Sequence, residues 1–419
     1  MNKRDFLKIF GTAAIGSPFL SLDLSSNHKF EDYSKRNNLS KTDFWIKIRE
    51  DYTLKKDYIN LENGYYCIVP NPTLNNFITH VKKINIEGSY YMRNNRDTDN
   101  KRIEARLANF LNCSPEELVV TRNTTESLDL IIGGFPWKKG DEAIYAKQDY
   151  GAMQQMFKLV SKRHGVVNKV VSVPNHPKSD EEIVKLYEDQ ITSKTKLIMV
   201  CHMVNITGHI LPIRKICDMA HKYGVEVMVD GAHCIGHFKV NISELNCDYY
   251  GSSLHKWLST PLGVGILYIS KNKVSKINPL LASHVYEEDN ILRLNHIGTH
   301  PVYTDLAIDN ALDYQEMIGV ERKENRLRYI QRYWSDKLRG IKNVIINTPV
   351  EEYRSCGIAN VGIKNLDPNK LAKILFDKYQ IFTVAINHEN VVGCRISPNV
   401  YTNEEDLEHF ISSIKELAV

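Results

Sequence analysis

Residues 225–233 read VEVMVDGAH, an apolar run that ends in a carboxylate. A run of this kind is typical of a buried strand in a parallel sheet. Asp230 is therefore expected at the carboxyl end of a buried strand, where an unpaired charge is costly. A protonated ring nitrogen of a ligand could neutralise this carboxylate. An arginine partner, or a role in capping the next turn, would account for it equally well.

Strand and helix patterns alternate on both sides of this run. A helix is predicted at 213–223, with Gly224 in the position of a C-cap. Alternation of this kind predicts an α/β fold, with a mostly parallel sheet covered on both faces. The predicted strands are 118–121, 143–145, 170–173, 197–201 and 225–229.

The pattern changes near residue 300, which divides the chain into domains. A long helical stretch at 305–340 is followed by short strands, a helix near 368–379 and a closing helix from Glu404. The chain is therefore expected to consist of a large domain and a smaller α+β domain. The predicted boundaries are an N-terminal segment at 26–60 anchored by Trp45 and Ile48, a large domain at 61–296, and a small domain at 297–419.

A lysine follows the next polar strand end. Residues 249–257 read YYGSSLHKW, and Lys256 precedes the turn-rich segment PLGVG at 261–265. A lysine in a partly desolvated pocket has a lowered pKa, which makes its amine a nucleophile toward an aldehyde. Ser253 and His255 could donate hydrogen bonds to a phosphate. Taken alone, such a lysine is more often a solvated surface residue.

Two further strand ends carry polar residues where ligands bind in such sheets. Thr124 and Thr125 open a predicted helix whose first N–H groups favour an anion, although the same residues also suit a helix cap. Asn205 follows the strand at 197–201. Its side chain could reach a ring substituent of a ligand or hydrogen-bond its own backbone in a turn.

The order and spacing of these segments resemble a known family. Asp230 stands three residues before His233, and the S-x-H-K segment at 253–256 places Lys256 26 residues after Asp230. This pattern resembles the class V aminotransferase family of fold-type I pyridoxal-phosphate enzymes, from Asn63 to the C-terminus. The resemblance implies an α/β fold with a large cofactor-binding domain, a smaller C-terminal α+β domain, and pyridoxal 5′-phosphate as the cofactor.

The same resemblance implies roles for the individual residues. Lys256 would bind the cofactor as a Schiff base and move the α-proton of the substrate, while Asp230 would keep the ring nitrogen protonated. His233 would lie near the phenolic oxygen, with Asn205 beside it. Tyr150 falls where the family places a ring-stacking aromatic, although an ordinary half-buried tyrosine is the alternative. The phosphate would be held by Thr124, Thr125, Ser253 and His255.

Four positions concern the substrate and a second subunit. Thr299 resembles the residue that reaches the phosphate from a neighbouring subunit, which implies a homodimer with shared active sites. Arg395 matches the arginine that grips a substrate carboxylate, for which a planar fork is suited. A structural ion pair is the alternative for Arg395. Asn63 and Tyr65 are expected on the substrate side.

The sequence of the C-terminal part indicates which branch of the family the protein resembles. Desulfurases of this family carry a cysteine on a loop before the carboxylate arginine, but residues 379–385 read YQIFTVA. Cys356 lies too far back and Cys394 adjoins the arginine, which argues against persulfide chemistry. The segments at 298–301 and 392–403 resemble most the isopenicillin N epimerase-like branch.

We therefore expect an enzyme that acts on the amino group or the Cα of an amino acid or peptide-derived substrate. An epimerase or a C–S lyase without net amino transfer is the alternative within the family. A degenerate member that binds a ligand without reacting is the alternative outside enzymes.

Composition and charge argue against several classes of partner. The 419 residues carry 54 Lys and Arg against 50 Asp and Glu, without a basic run, which argues against a nucleic-acid partner. The 8 cysteines show neither C-x-x-C nor zinc-finger spacing, so we expect no metal site and no disulfide framework. They are expected to be small apolar core residues.

The N-terminus resembles an export signal. Residues 2–8 read NKRDFLK and precede a mildly apolar stretch at 9–22, like a twin-arginine signal in which Lys3 replaces the first arginine. About 14 apolar residues are too few for a membrane span in the mature chain. Residues 1–25 are expected to direct the protein to the periplasm, and an amphipathic N-terminal helix of a cytoplasmic protein is the alternative.

Overall fold

The structure is a computed structural model that describes residues 39–282 and 286–419, together with Arg36. Within it, Leu39–Val419 holds together as one unit. The predicted export signal at 1–25 lies outside the described residues. In the part of the chain that the structure describes, no helix is long and apolar enough to cross a membrane.

The strands of the described residues are numbered in chain order. They are β1 (Ile59–Asn60), β2 (Leu118–Thr121), β3 (Glu142–Ala146), β4 (Val167–Val171), β5 (Thr195–Cys201), β6 (Glu226–Asp230), β7 (Tyr249–Ser253), β8 (Gly265–Ile269), β9 (Val344–Ile346), β10 (Ala359–Ile363), β11 (Ile381–Phe382), β12 (Val384–His388) and β13 (Val391–Ile396).

The helices alternate with these strands in the first two thirds of the chain. They are α1 (Lys41–Glu50), α2 (Asn71–Glu87), α3 (Ser89–Asn94), α4 (Arg96–Leu111), α5 (Thr124–Gly134), α6 (Gly151–His164), α7 (Asp180–Glu188), α8 (Ile213–Lys222), α9 (Ile242–Leu245), α10 (Val302–Ile318), α11 (Val320–Leu338), α12 (Pro368–Tyr379) and α13 (Glu404–Leu417). Short 3-10 helices lie at Pro115–Glu117, Lys271–Lys276, Ile291–Asn295 and Glu352–Arg354.

The large sheet has seven strands in the order β2-β8-β7-β6-β5-β3-β4. β8 is antiparallel to both of its neighbours, and the other pairs are parallel. β6 shows why the sheet is covered on both sides: Val227 and Val229 pack in one apolar cluster while Met228 packs in the other. A strand buried on both faces needs the continuous apolar run seen in the sequence, and the predicted α/β fold is confirmed.

A second sheet, formed by β12-β13-β10-β9, is antiparallel throughout and belongs to the C-terminal part of the chain. The N-terminal segment is attached to this part because β1 pairs in parallel with β11, and Glu62 bridges to Ser397. In α1 the predicted anchors Trp45 and Ile48 are buried. The predicted domain boundaries stay predictions.

The predicted elements differ from the observed ones where local context decides. The strand predicted at 170–173 lies at Val167–Val171, because an edge strand such as β4 tolerates the polar residues Asn168 and Lys169. The helical stretch predicted at 305–340 is two helices, α10 and α11. Gly319, at φ +87°, separates them in a conformation that L side chains rarely adopt.

The loop after β5 is held against the C-terminal part at Gly208, which gives a test of this packing. Gly208 has φ +76°, and a Cβ there would lie 1.9 Å from the Ile358 carbonyl oxygen. Gly208→Ala is expected to lower the free energy of unfolding by about 3 kcal/mol or more, through strain and collision.

Gly224→Ala is the matched control. Gly224 has φ +68°, with no heavy atom within 4 Å of the added Cβ, so only the conformational cost of about 1 kcal/mol applies. Urea unfolding of both variants measures the difference. Equal losses of stability would show that the contact with Ile358 does not constrain the loop.

Candidate active site

The carboxyl ends of β5, β6 and β7 open, with the start of α5, onto a cavity of about 320 Å³. Eleven of the thirteen residues predicted for the site line this cavity. They are Tyr65, Thr124, Thr125, Tyr150, Asn205, Asp230, His233, Ser253, His255, Lys256 and Arg395. The structure therefore places these residues together, while their individual roles stay predictions.

Lys256 and Asp230 face the same buried space. Asp230 is 3% exposed, and its Oδ1 accepts a hydrogen bond of 3.0 Å from the Ala232 backbone N–H. Burial raises the pKa of this carboxyl, although the bond from Ala232 and the charge of Lys256 oppose the rise. Burial lowers the pKa of the Lys256 amine to about 8, against the opposing attraction of Asp230. The amine is therefore partly unprotonated near neutral pH, as a nucleophile or base requires.

His233 is held in one tautomer by its neighbour Trp257. The indole Nε1–H of Trp257, which can only donate, points to His233 Nδ1 at 3.3 Å. Burial lowers the pKa of His233 well below its ordinary value, so the ring is neutral and its proton lies on Nε2. Nε2 lies 3.1 Å from Lys256 Nζ, so the Nε2–H can donate to the lone pair of this amine in its unprotonated form.

A second histidine supports this arrangement from behind. His237 stacks on the Trp257 ring with centroids 3.7 Å apart. The backbone N–H of Gly357 donates to His237 Nε2 at 2.7 Å, so the Nδ1–H donates to the His233 carbonyl at 2.8 Å. Trp257 is fully buried, and its indole therefore has little freedom to turn away from His233.

Hydroxyl and backbone donors collect at the other end of the cavity. The Thr124 backbone N–H donates to Ser253 Oγ at 2.9 Å, and the two hydroxyl oxygens are 2.7 Å apart. These groups lie at the N-terminus of α5, where the first N–H groups favour an anion. His255 Nδ1 donates to the Val264 carbonyl at 3.1 Å, which leaves Nε2 as the ring nitrogen that can face a ligand.

Arg395 was predicted either to bind a substrate carboxylate or to form a structural ion pair, and its position suits both roles. It lines the cavity, and it also forms a buried ion pair with Glu62. Nη2 donates to Oε1 at 2.6 Å and Nε donates to Oε2 at 3.2 Å. Nη1 donates to the Asn205 carbonyl at 3.3 Å.

Two predicted residues lie outside the lining of the cavity. Asn63 is fully buried, and its side chain donates to the Ser397 carbonyl and accepts from the Tyr401 hydroxyl. Asn63 therefore supports the segment that carries its neighbour Tyr65, which is 78% exposed at the mouth of the cavity. Thr299 is exposed on the segment before α10. Tyr150 is also exposed and directly precedes α6.

Sequence reasoning missed the two residues that orient this site, Glu62 and Trp257. Glu62 meets Arg395 across 333 positions of chain, and nothing in one sequence signals such a pairing. Trp257 directly follows Lys256 in the chain, and its indole N–H can only donate a hydrogen bond. This donor next to the predicted catalytic lysine was the signal in the sequence that could have pointed to its role. Cys201 also lines the cavity, but burial raises the pKa of its thiol well above the ordinary value, so it is no thiolate nucleophile.

Comparison with known proteins agrees with this geometry. Residues 73–410 match the family model described as aminotransferase class-V. The chain belongs to the class-V aminotransferase family.

Individual relatives are similar over most of this chain. The chain is 25% identical over 393 residues to an isopenicillin N epimerase of Amycolatopsis lactamdurans, covering 89% of this chain and 98% of the relative. It superposes on the apo structure of a cysteine desulfurase from Thermococcus onnurineus NA1 with a TM-score of 0.79 and 22% identity, covering 89% and 98% of the two chains. A C-DES variant with glycine covalently linked to its PLP cofactor gives a TM-score of 0.80 at 19% identity, covering 88% and 99%.

The cofactor of this family is pyridoxal 5′-phosphate, and the donor set of the cavity fits it. Thr124, Ser253 and the start of α5 provide donors for a phosphate. Asp230 provides an anion for a protonated ring nitrogen, and Lys256 provides an amine for the aldehyde. When bound, the cofactor withdraws electrons from the α-carbon of the substrate.

The lowered pKa of Lys256 predicts how the cofactor attaches. Attachment requires the unprotonated amine, so its rate should rise with pH through a midpoint near 8 and level off about one to two pH units higher, whereas an ordinary lysine would still gain reactivity above 10. Visible absorbance after mixing pyridoxal phosphate with apoprotein measures the rate. Lys256→Ala should give no such absorbance. A midpoint near 10, or colour that persists in the variant, would refute the assignment.

The Trp257 hydrogen bond predicts a tautomer that can be observed. Trp257→Phe keeps a ring for His237 to stack on but removes the N–H that His233 Nδ1 accepts. In the wild type, ¹⁵N NMR of labelled histidines should show His233 protonated on Nε2 alone. The variant should show a mixture of both tautomers. His233→Gln assigns the signals, and an unchanged tautomer in Trp257→Phe would contradict the role of the indole.

Proposed function

We propose that this enzyme transforms the amino group of an amino acid or peptide-derived substrate, with amino transfer as the reaction. The observation that carries the proposal is the Lys256 amine, partly unprotonated near neutral pH, in one cavity with the buried Asp230 carboxylate. An amine with such a lowered pKa can take and return a proton at the substrate α-carbon. Asp230 would face the opposite end of the cofactor ring. There its carboxylate favours a protonated ring nitrogen through a charge-assisted hydrogen bond worth about 1.5–3 kcal/mol.

His233 and Trp257 supply orientation in this proposal. The Nε2–H of His233 points into the cavity beside Lys256 and can hold an oxygen of the ring in place. Asn205 lies on the same wall of the cavity as Arg395. The side chains of Tyr150 and Tyr65, exposed at the mouth, would cover the ring and the substrate.

Epimerisation without net amino transfer is the second candidate, and the match to isopenicillin N epimerase over 98% of that relative supports it. Persulfide chemistry has less support. The segment at 379–385, which lacks a cysteine, contributes to β11 and β12 in place of a cysteine-bearing loop. Cys394 is buried in β13 with its thiol directed at the Pro368 carbonyl. C–S lysis by a route that needs no protein thiol stays within the second candidate.

A ligand-binding protein without activity is the least favoured reading. Such a protein would have no need for an amine whose pKa is lowered to about 8 or for a histidine locked in one tautomer. The lowered pKa of Lys256 and the fixed tautomer of His233 change how readily these groups react. Binding without reaction would be served equally well by a charged lysine.

A homodimer in the periplasm completes the proposal. Thr299 is exposed and outside its own cavity, as expected of a residue that would reach the phosphate of a partner subunit. The N-terminal pattern that resembles a twin-arginine signal supports export of the folded enzyme with its cofactor.

A panel of amino acids and short peptides, added to the holoenzyme, tests the reaction. Amino transfer should convert the visible absorbance to that of the aminated cofactor and release a keto product in equal amount. Epimerisation should leave the absorbance unchanged at equilibrium and invert the configuration of the substrate. Lys256→Ala is the control and should give neither product. A holoenzyme that responds to no amine in the panel would contradict the proposed activity.

A further inference from the structure

The carboxylate of Glu62 is fixed by four donors. Besides the two bonds from Arg395, the Tyr65 backbone N–H donates to Oε1 at 2.9 Å and the Ser397 hydroxyl lies 3.3 Å from Oε2. Glu62 is 9% exposed and does not line the cavity. It therefore stands behind Arg395, on the side away from any bound ligand.

This pairing uses one of the two edges with which a guanidinium can bind a planar group. Glu62 occupies the Nε/Nη2 edge of Arg395, and Asn205 accepts one Nη1–H. Within residues 39–282 and 286–419, one N–H on Nη1 and one on Nη2 are left for a ligand. Gly64 packs on the guanidinium, since a Cβ there would lie 2.6 Å from Arg395 Cζ. Since Arg395 lines the cavity and Glu62 does not, the free edge is the one available to a ligand.

The charge at this end of the cavity is already balanced. Arg395 and Glu62 are a buried pair with no net charge, so a free carboxylate on the open edge would be a second anion on one guanidinium. The other cationic side chains of the lining do not compensate. Arg122 is paired with Glu126, and the Lys256 amine is the group that would hold the cofactor aldehyde.

We propose that Glu62 is a specificity-determining residue that sets Arg395 to receive a neutral carbonyl oxygen in preference to a free carboxylate. The substrate class that fits is an amine whose α-carbon bears an amide carbonyl, as in the N-terminal residue of a peptide or an amino acid amide. Its oxygen accepts from the two remaining N–H groups without adding charge. This inference rests on the proposed function, because it concerns the substrate of the same cavity.

Equilibrium binding of two probes, L-alanine and L-alaninamide, tests the proposal. Holoenzyme is titrated with each probe, and the dissociation constants from the change in cofactor absorbance are expressed for the unprotonated amine. The wild type should favour the amide. Glu62→Gln keeps the shape of the side chain but removes its charge, and should shift the preference toward the acid by about tenfold or more. A shift smaller than about threefold overturns the proposal.

Two variants and a second probe pair separate specificity from structure. Glu62→Asp keeps the charge and should keep the preference of the wild type. Asp218→Asn, which removes the carboxylate partner of Arg214, an arginine that does not line the cavity, should leave the ratio unchanged. Because Glu62→Gln leaves a buried guanidinium unpaired and can destabilise the fold, wild type is also titrated with glycine and glycinamide.

The outcomes distinguish this inference from the function on which it rests. A preference of the wild type for the free acid in both probe pairs overturns the role of Glu62 without any variant. Binding of both probes with an unchanged ratio in a folded Glu62→Gln overturns the inference and leaves the proposed function standing. A holoenzyme that responds to neither probe overturns the inference, and the proposed function falls with it only if no amine of the wider panel gives a response.

Discussion

The buried carboxylate of Asp230 is the constraint on which the site depends. It ends a strand that is enclosed on both faces and is 3% exposed, so solvent shares little of its charge. Asp149 is buried nearby, and burial together with the proximity of Asp230 raises the pKa of Asp149 to about 8. Two carboxyls in one apolar region cannot both be charged cheaply, and the region therefore favours a cation beside Asp230.

The same desolvation sets the state of the other groups around the cavity. Burial lowers the pKa of Lys256 to about 8 and of His255 to about 4, and holds His233 neutral. Besides the carboxylate of Asp230 and the amine of Lys256, the cavity thus holds its charged groups in two ion pairs, Arg395 with Glu62 and Arg122 with Glu126. The anionic phosphate of the cofactor would bind at the donors around the start of α5, and its cationic ring nitrogen would bind at the carboxylate of Asp230. Both sets of groups are in place before the cofactor binds. Preorganisation of this kind avoids reorganising the site when the ligand binds.

Much of the fold and the cofactor end of the site could be predicted from the sequence, because both rest on local patterns. The apolar run before Asp230 encodes a doubly buried strand, and the position of Lys256 after the next strand follows from the order of the elements. Contacts between segments that lie far apart in the chain could not be predicted from the sequence. The antiparallel insertion of β8 between β2 and β7, and the meeting of Glu62 with Arg395, depend on tertiary packing that leaves no period in the chain.

This contrast explains how one cofactor scaffold can serve different substrates. The cofactor end is built by consecutive strand tips of a single sheet, where Asp230 and Gly251 are direct neighbours in register. The substrate end joins three separate segments: Arg395 from β13, Glu62 from the chain after β1, and Asn205 from the loop after β5. A substitution of Glu62 or Arg395 changes the charge or the free edge at this end without touching a residue that holds the cofactor. Selection for a new substrate therefore acts on contacts between segments, and the chemistry of Lys256 and Asp230 is retained.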